Sequence, residues 1–242
     1  MSRGFPLIFL LPIGSMAAGE GSRTPFELFA RNGSIPLQVV ALITALTLLP
    51  AVVMSITPFL RITIVLHFLR TALGTQTSPN NQVLLGLALF LTAIIMQPVA
   101  VQMYDKGWRP YESGELSAAE AWEAGLEPLR SFLIRYCHEK DLQLFQGLVK
   151  SPAPQNPSQV ELRVLLPAYV LSELRVGFQI GAMLFLPFVM IDLLVAGVTL
   201  SIGMVQLPPV MLSAPFKVLL FVLADGWNLV VGSLVKSFYS QG

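Results

Sequence analysis

Two runs of this chain contain no charged side chain, Leu37 to Ile56 and Val83 to Val101. Two more are broken only by Asp192 in Val176–Val205 and by Lys217 and Asp225 in Val210–Val235. Each is long enough to cross a hydrocarbon core about 30 Å thick, which takes about 20 apolar residues in a helix. In lipid every backbone N–H and C=O must be satisfied by the chain itself, so such runs form helices. Composition agrees. Hydrophobic residues make up 54% of the chain and charged residues 12%, and mean hydropathy is +0.69. A soluble domain carries about 25% charged residues. This excludes a cytosolic enzyme and a disordered chain, and a net charge of +1 lacks the basic excess that a nucleic-acid partner requires. The expectation is an all-α membrane protein embedded in lipid, with about four long hydrophobic helices in two hairpins plus a helical periplasmic segment. Pro50, Pro98, Pro187 and Pro215 lie inside the four runs, so the helices are expected to be kinked.

Charges between the runs set the orientation. The loop Pro58–Gln82 holds Arg61 and Arg70 and no acid, whereas Tyr104–Arg175 holds eight Lys/Arg and ten Asp/Glu. Short basic loops stay in the cytoplasm, which puts residues 58–82 inside and 104–175 in the periplasm. At the N-terminus Arg3 precedes the short apolar stretch Phe5–Ile13. Ser15-Met16-Ala17 and Ala17-Ala18-Gly19 both fit the small-x-small cleavage rule. The resulting plan is a signal peptide over 1–19, cut near Ala17, Ala18 or Gly19, and a periplasmic segment over 20–36. A first hairpin follows over 37–103 with its cytoplasmic loop at 58–82. A periplasmic helical segment over 104–175, a second hairpin over 176–235 and a tail over 236–242 complete it. Within the periplasmic segment, Ser117 with Glu120 forms a capping box. Trp122, Leu126, Leu129, Phe132, Leu133 and Tyr136 then recur at helical spacing. Glu139–Lys150 reads as a second helix and Ser151–Gln159 as a turn-rich linker. Pro167 suits the first turn of a helix continuing into the third run.

Catalytic and cofactor chemistry find no footing. A single cysteine, Cys137, permits no intrachain disulfide and no multi-cysteine zinc site. His67 and His138 stand far apart, outside any HExxH arrangement, and there is no phosphate-binding glycine loop. No metal and no cofactor is expected. The aspartates lack the GxGD setting of an intramembrane protease.

The intramembrane charges Asp192, Lys217 and Asp225 are the first candidates for function, because each is costly in a membrane helix without a partner or water. The short link at Val205–Val210 makes runs three and four a hairpin. Lys217–Asp192 and an intersubunit Lys217–Asp225 both fit as pairs, either along a hydrated pathway or as structural braces. Gly177 and Gly181 form a GxxxG spacing that lets helices approach closely. Gly203-Met-Val-Gln-Leu-Pro-Pro209, at the hairpin tip, forces non-helical backbone. Such backbone belongs at a membrane surface, inside protein or on a water-filled cavity.

Several blocks resemble the FliP family of flagellar biosynthetic proteins, which belongs to the type III secretion export gate. They are Arg61-Ile-Thr-Ile-Val with Leu69-Arg-Thr-Ala-Leu-Gly74, and the stretch Pro79–Thr92. Further on come Ser172-Glu-Leu-Arg, Phe178-Gln-Ile-Gly181, Pro187-Phe188, Ile191-Asp-Leu193, Pro215-Phe-Lys217 and Asp225-Gly-Trp227. They span most of residues 50–240, with 104–159 matching weakly. The resemblance implies a non-enzymatic, pore-forming core subunit that passes unfolded flagellar subunits across the inner membrane. It implies a pentameric ring of this chain with FliQ- and FliR-like subunits, associated with FlhA- and FlhB-like gate proteins. It also implies location in the flagellar basal body, with subunits lifted partly into the periplasm on assembly. The pore gate then falls on Met204, Val205, Gln206 and Leu207. Many family members carry a run of methionines there. Here Met204 alone matches, and Val205 and Gln206 stand in place of the others. The alternative reading, a small-solute membrane transporter or channel, calls for repeat symmetry between the halves, and none is evident.

Overall fold

The computed structural model describes residues 35–75, 79–149, 160–204 and 208–239. The expected cleavage residues Ala17, Ala18 and Gly19, the linker 151–159 and three gate residues, Val205, Gln206 and Leu207, lie outside the described residues. Among those described, all regular structure is helical. Three helices, Leu37–Ser55, Asn81–Glu112 and Leu162–Ser201, are long and apolar enough to cross a membrane. A bent pair, Pro209–Leu223 with Gly226–Tyr239, is a fourth candidate. The chain is an all-α membrane protein.

Helix α1, Ile35–Ser55, carries Pro50 inside it and exposes its side chains along most of its length. The chain divides between Leu49 and Pro50, within this helix.

From Pro50 onward the core is built around two helices, α2 (Phe59–Ala72) and α7 (Leu162–Ser201), which pack on each other more extensively than any other pair. The segment read as a polar loop, 58–82, therefore holds a buried helix. Its stripe of Phe59, Ile62, Val65, Leu66 and Leu69 is buried at the spacing that puts side chains on one helical face. Two arginines and no acid had marked it as a cytoplasmic loop, but one of them, Arg61, is itself buried. Helix α3 (Asn81–Met103), capped by Asn80 whose side chain accepts from the Gln82 N–H, packs beside α2.

Helix α3 runs on through a π-helical turn, Tyr104–Trp108, into one further turn, Arg109–Glu112 (α4). The span thus intrudes into the segment assigned wholly to a periplasmic unit. Helix α5 (Ala118–Tyr136) opens on the capping box of Ser117 and Glu120. The backbone and side-chain donors of Ser117 hold the Glu120 carboxyl below the usual glutamate range. Leu129, Phe132, Leu133 and Tyr136 face inward, while Trp122 stays exposed. Helix α6 (Glu139–Val149) packs on α7.

Helix α7 starts at Leu162, so Pro167 lies in its second turn and not its first, and the helix runs through Pro167 and Pro187 without a break. The fourth apolar run is instead two helices, α8 (Pro209–Leu223) and α9 (Gly226–Tyr239), bent by 65°. That break falls at Ala224–Asp225, nine residues beyond Pro215, where Asp225 takes φ 51°. Prolines do not interrupt these apolar helices, and a left-handed residue does.

Candidate functional site: paired charges along α7

Helix α7 carries two carboxylates, Glu173 and Asp192, about 28 Å apart at 1.5 Å per residue. A different helix delivers a cation to each.

At Glu173 the cation is Arg61 of α2. Its Nε donates to Glu173 Oε2 at 2.9 Å and its Nη2 to Oε1 at 2.5 Å. The two side chains are 3% and 0% exposed. This fork-to-carboxylate geometry satisfies both charges with directional bonds, which burial demands. The remaining guanidinium nitrogen, Nη1, donates to Ser237 Oγ at 3.2 Å. The guanidinium lies 4.0 Å from the centre of the Phe238 ring, and the Tyr136 hydroxyl donates to the Phe238 carbonyl. Arg61 therefore joins α2, α7 and the last turn of α9.

At the positions flanking Glu173 on α7, Asp141 of α6 is buried and accepts from Arg175 Nη2 at 2.5 Å and from the Ser172 hydroxyl at 2.8 Å. The His138 N–H donates to Ser172 Oγ at 2.8 Å. Burial pushes the neighbouring Cys137 thiol up, as expected for a structural cysteine.

At Asp192 the cation is Lys217 of α8, with Nζ 2.6 Å from Oδ2. The Ser213 hydroxyl donates to Oδ1 of the same carboxylate. Lys217 is 2% exposed and the Asp192 side chain 25%, so the lysine is buried while the carboxylate keeps one side open. Of the two pairings the sequence allowed, this geometry forms Lys217–Asp192. Asp225 stands apart, exposed, and accepts from the Asn228 amide at 3.1 Å.

Gly177 and Gly181 of α7 face α2. A Cβ on Gly181 would lie 2.6 Å from the Phe68 ring and one on Gly177 3.2 Å from Ile64. Beyond Asp192 the helix ends in a Schellman turn, in which Met204 N–H donates to the Thr199 carbonyl and Gly203 N–H to Leu200. Gly203 takes φ 77°, the left-handed conformation this turn requires. Met204 is 40% exposed. Pro208, extended, precedes α8, and Pro209 opens it.

Among the described residues no group of three or more His, Cys, Asp or Glu is poised for a metal. Arg61, Glu173, Asp141 and Arg175 were not among the sequence candidates. A signal for Glu173 was present, because Leu165, Ala168, Tyr169 and Ser172 place it on an apolar helical face. Arg61 likewise falls between Phe59 and Ile62 on the buried stripe of α2.

Membrane-length helices, charges matched in pairs along a 40-residue helix and a glycine-terminated hairpin define a polytopic helical membrane protein. The chain belongs to the FliP family, whose model matches residues 42–234. It is 51% identical over 210 residues to the flagellar biosynthetic protein FliP of Pectobacterium carotovorum subsp. carotovorum, covering 87% of this chain and 81% of that one. The protein of the same name in Caulobacter vibrioides is 48% identical over 84% of this chain and 76% of its own. In Bacillus subtilis (strain 168) the figures are 44%, 86% and 94%.

Proposed function

We propose that this chain is a pore-forming core subunit of the flagellar type III protein export gate, passing unfolded flagellar subunits across the bacterial inner membrane. Membership of the FliP family over residues 42–234 carries the reading, together with relatives named flagellar biosynthetic proteins. In this role five copies form a ring with FliQ- and FliR-like subunits, and FlhA- and FlhB-like gate proteins associate with it. The ring supplies the path and performs no enzymatic step. Assembly in the basal body lifts the subunits partly out of the membrane plane.

The hairpin geometry supports the gate assignment. Asp192 lies eleven residues before Gly203 and Lys217 nine after Pro208, about 16 Å and 13 Å along their helices. Their ion pair at 2.6 Å ties the two legs together behind the tip. Each copy then presents the tip to the ring axis, where Met204, Val205, Gln206 and Leu207 form stacked constrictions. Apolar rings close a pore by dewetting, and methionine adapts to irregular gaps. The Gln206 amides hydrogen-bond between copies and offset the reduced methionine content.

The test is a tagged full-length chain purified from its native membrane, with and without deletion of Met204–Gln206. The unaltered chain is expected in a large complex with FliQ- and FliR-like chains. The deletion is expected to assemble normally and leak small ions, read as membrane conductance. A lone monomer overturns the assembly, and intact assembly without leakage overturns the gate.

A further inference from the structure

Charges among the apolar helices are matched within the chain at Arg61–Glu173 and at Lys217–Asp192. Asp225, at the break in the fourth apolar run, is not. Its carboxylate accepts from the Asn228 amide, and among the described residues no cation forms an ion pair with it. It sits in the break between α8 and α9 with φ 51°, and Val222, Leu223 and Leu229 around it are 64%, 77% and 60% exposed. A carboxylate among exposed apolar side chains of a span needs a partner or water. Left-handed backbone at a non-glycine residue is a second cost. Both are concentrated on one residue.

An apolar groove of about 540 Å³ adjoins it, bordered by Leu184, Pro187, Leu220, Ala224, Gly226 and Leu229. Both chain neighbours of Asp225, Ala224 and Gly226, line this groove, so the backbone at Asp225 borders it. A Cβ on Gly226 would come within 2.2 Å of the Phe221 ring, so glycine is what lets the chain turn tightly there.

We infer that Asp225 and this groove form a docking site for a membrane helix of a neighbouring chain that carries one lysine or arginine on an otherwise apolar face. Charge complementarity selects the occupant. A lipid acyl chain fills the groove but leaves the carboxylate unmatched, whereas a helix with a single cation satisfies both. The inference rests on the assembly reading above only in requiring a neighbouring membrane chain.

The direct test uses the full chain in phosphatidylcholine vesicles with a leucine-rich transmembrane peptide bearing one central lysine. The control peptide has leucine at that position, and association is read by energy transfer. The lysine peptide is expected to bind about tenfold more tightly, the scale of a polar contact between membrane helices. Asp225→Asn is expected to abolish that preference, while Asp225→Glu keeps it. Asparagine also accepts left-handed backbone, so Asp225→Asn removes the charge and keeps the bend. Equal binding of both peptides to the unaltered chain overturns the proposal whether or not the variants fold, as does an undiminished preference in Asp225→Asn.

In the native membrane, a photo-cross-linker at Leu229 is expected to attach within one helical turn of a partner's lysine or arginine. Attachment only to lipid, or to a helix with no cation, overturns the site. A complex recovered in full with Asp225→Asn sinks the docking site and leaves the export-gate reading intact. No complex with the unaltered chain sinks that reading instead.

Discussion

From Leu162 to Gly181, helix α7 buries Val164, Leu165, Ala168, Tyr169, Ser172, Glu173, Gly177 and Gly181, whereas from Ala182 to Ser201 it buries Phe188 and Thr199. The second half is not short of apolar side chains. Met183, Met190, Leu194 and Val198 are 75%, 62%, 69% and 63% exposed. Hydrophobicity alone therefore does not decide which half goes inside. The first half is small and polar where neighbours press on it, with glycine against Ile64 and Phe68, Glu173 against Arg61 and Ser172 against Asp141. The second half presents large aliphatic side chains and meets α8 through Asp192 and through the Phe188–Phe221 ring contact. The first half is folded by its own chain, and the second is left exposed.

Breaking the first half is expected to have the largest effect. Glu173→Ala leaves the Arg61 guanidinium, 3% exposed, without its counter-charge. Removing one partner of a buried pair costs about 3–5 kcal/mol. The full chain in detergent is expected to lose its cooperative thermal transition and to be cleared from the membrane. The double variant Arg61→Met with Glu173→Leu is expected to recover most of that stability, since apolar replacement of a buried pair is often neutral or better. Failure of the double variant to recover would show that the Ser237 and Phe238 contacts of Arg61 carry the effect.

Lys217→Ala comes next, and it probes the second half where Asp192 meets α8. Asp192 keeps 25% of its side chain exposed and the Ser213 donor, so water and the hydroxyl soften the loss. A cost of about 2 kcal/mol is expected, within the range for an unsatisfied group. The chain is expected to fold, with a lower melting temperature and reduced complex yield. The swapped variant Lys217→Asp with Asp192→Lys is expected to restore part of both. Normal complex yield in Lys217→Ala would show that the pair does not brace the hairpin.

The same contrast explains what could be read in advance. Long apolar runs marked the spans at α1, α3 and α7, because lipid-crossing helices need length and apolarity and little else. The Ser117–Glu120 box marked the start of α5, because its signal is local. Arg61 and α2 escaped because a charge-counting rule treats any arginine as solvated, and only the partner on α7, 112 residues away, reverses that. Lys217–Asp192 was legible as one of two pairings, since a short link fixes the hairpin, but choosing between them needed the bend at Asp225. No proline signalled that bend. Val205, Gln206 and Leu207 were assigned to a gate only through resemblance, because the role proposed for them belongs to a ring and not to one chain.

The smallest effect is expected where the second half faces outward. Leu194→Ala removes a side chain that is 69% exposed, so little apolar area leaves the core. Substitutions away from packed features usually stay within about 0.5 kcal/mol, and the melting temperature of the isolated chain should hardly move. The proposed ring would be a different environment. If a neighbouring subunit covers Leu194, truncation removes buried apolar area at about 25 cal/mol per Å² in every copy at once. The measurement is therefore paired, with thermal unfolding of the isolated chain set against yield of the complex from native membranes. An unchanged melting temperature with reduced yield assigns this face to a protein neighbour. No change in either quantity assigns it to lipid. A drop in the stability of the isolated chain would break the comparison itself, because it would show that the second half of α7 contributes to the chain's own core.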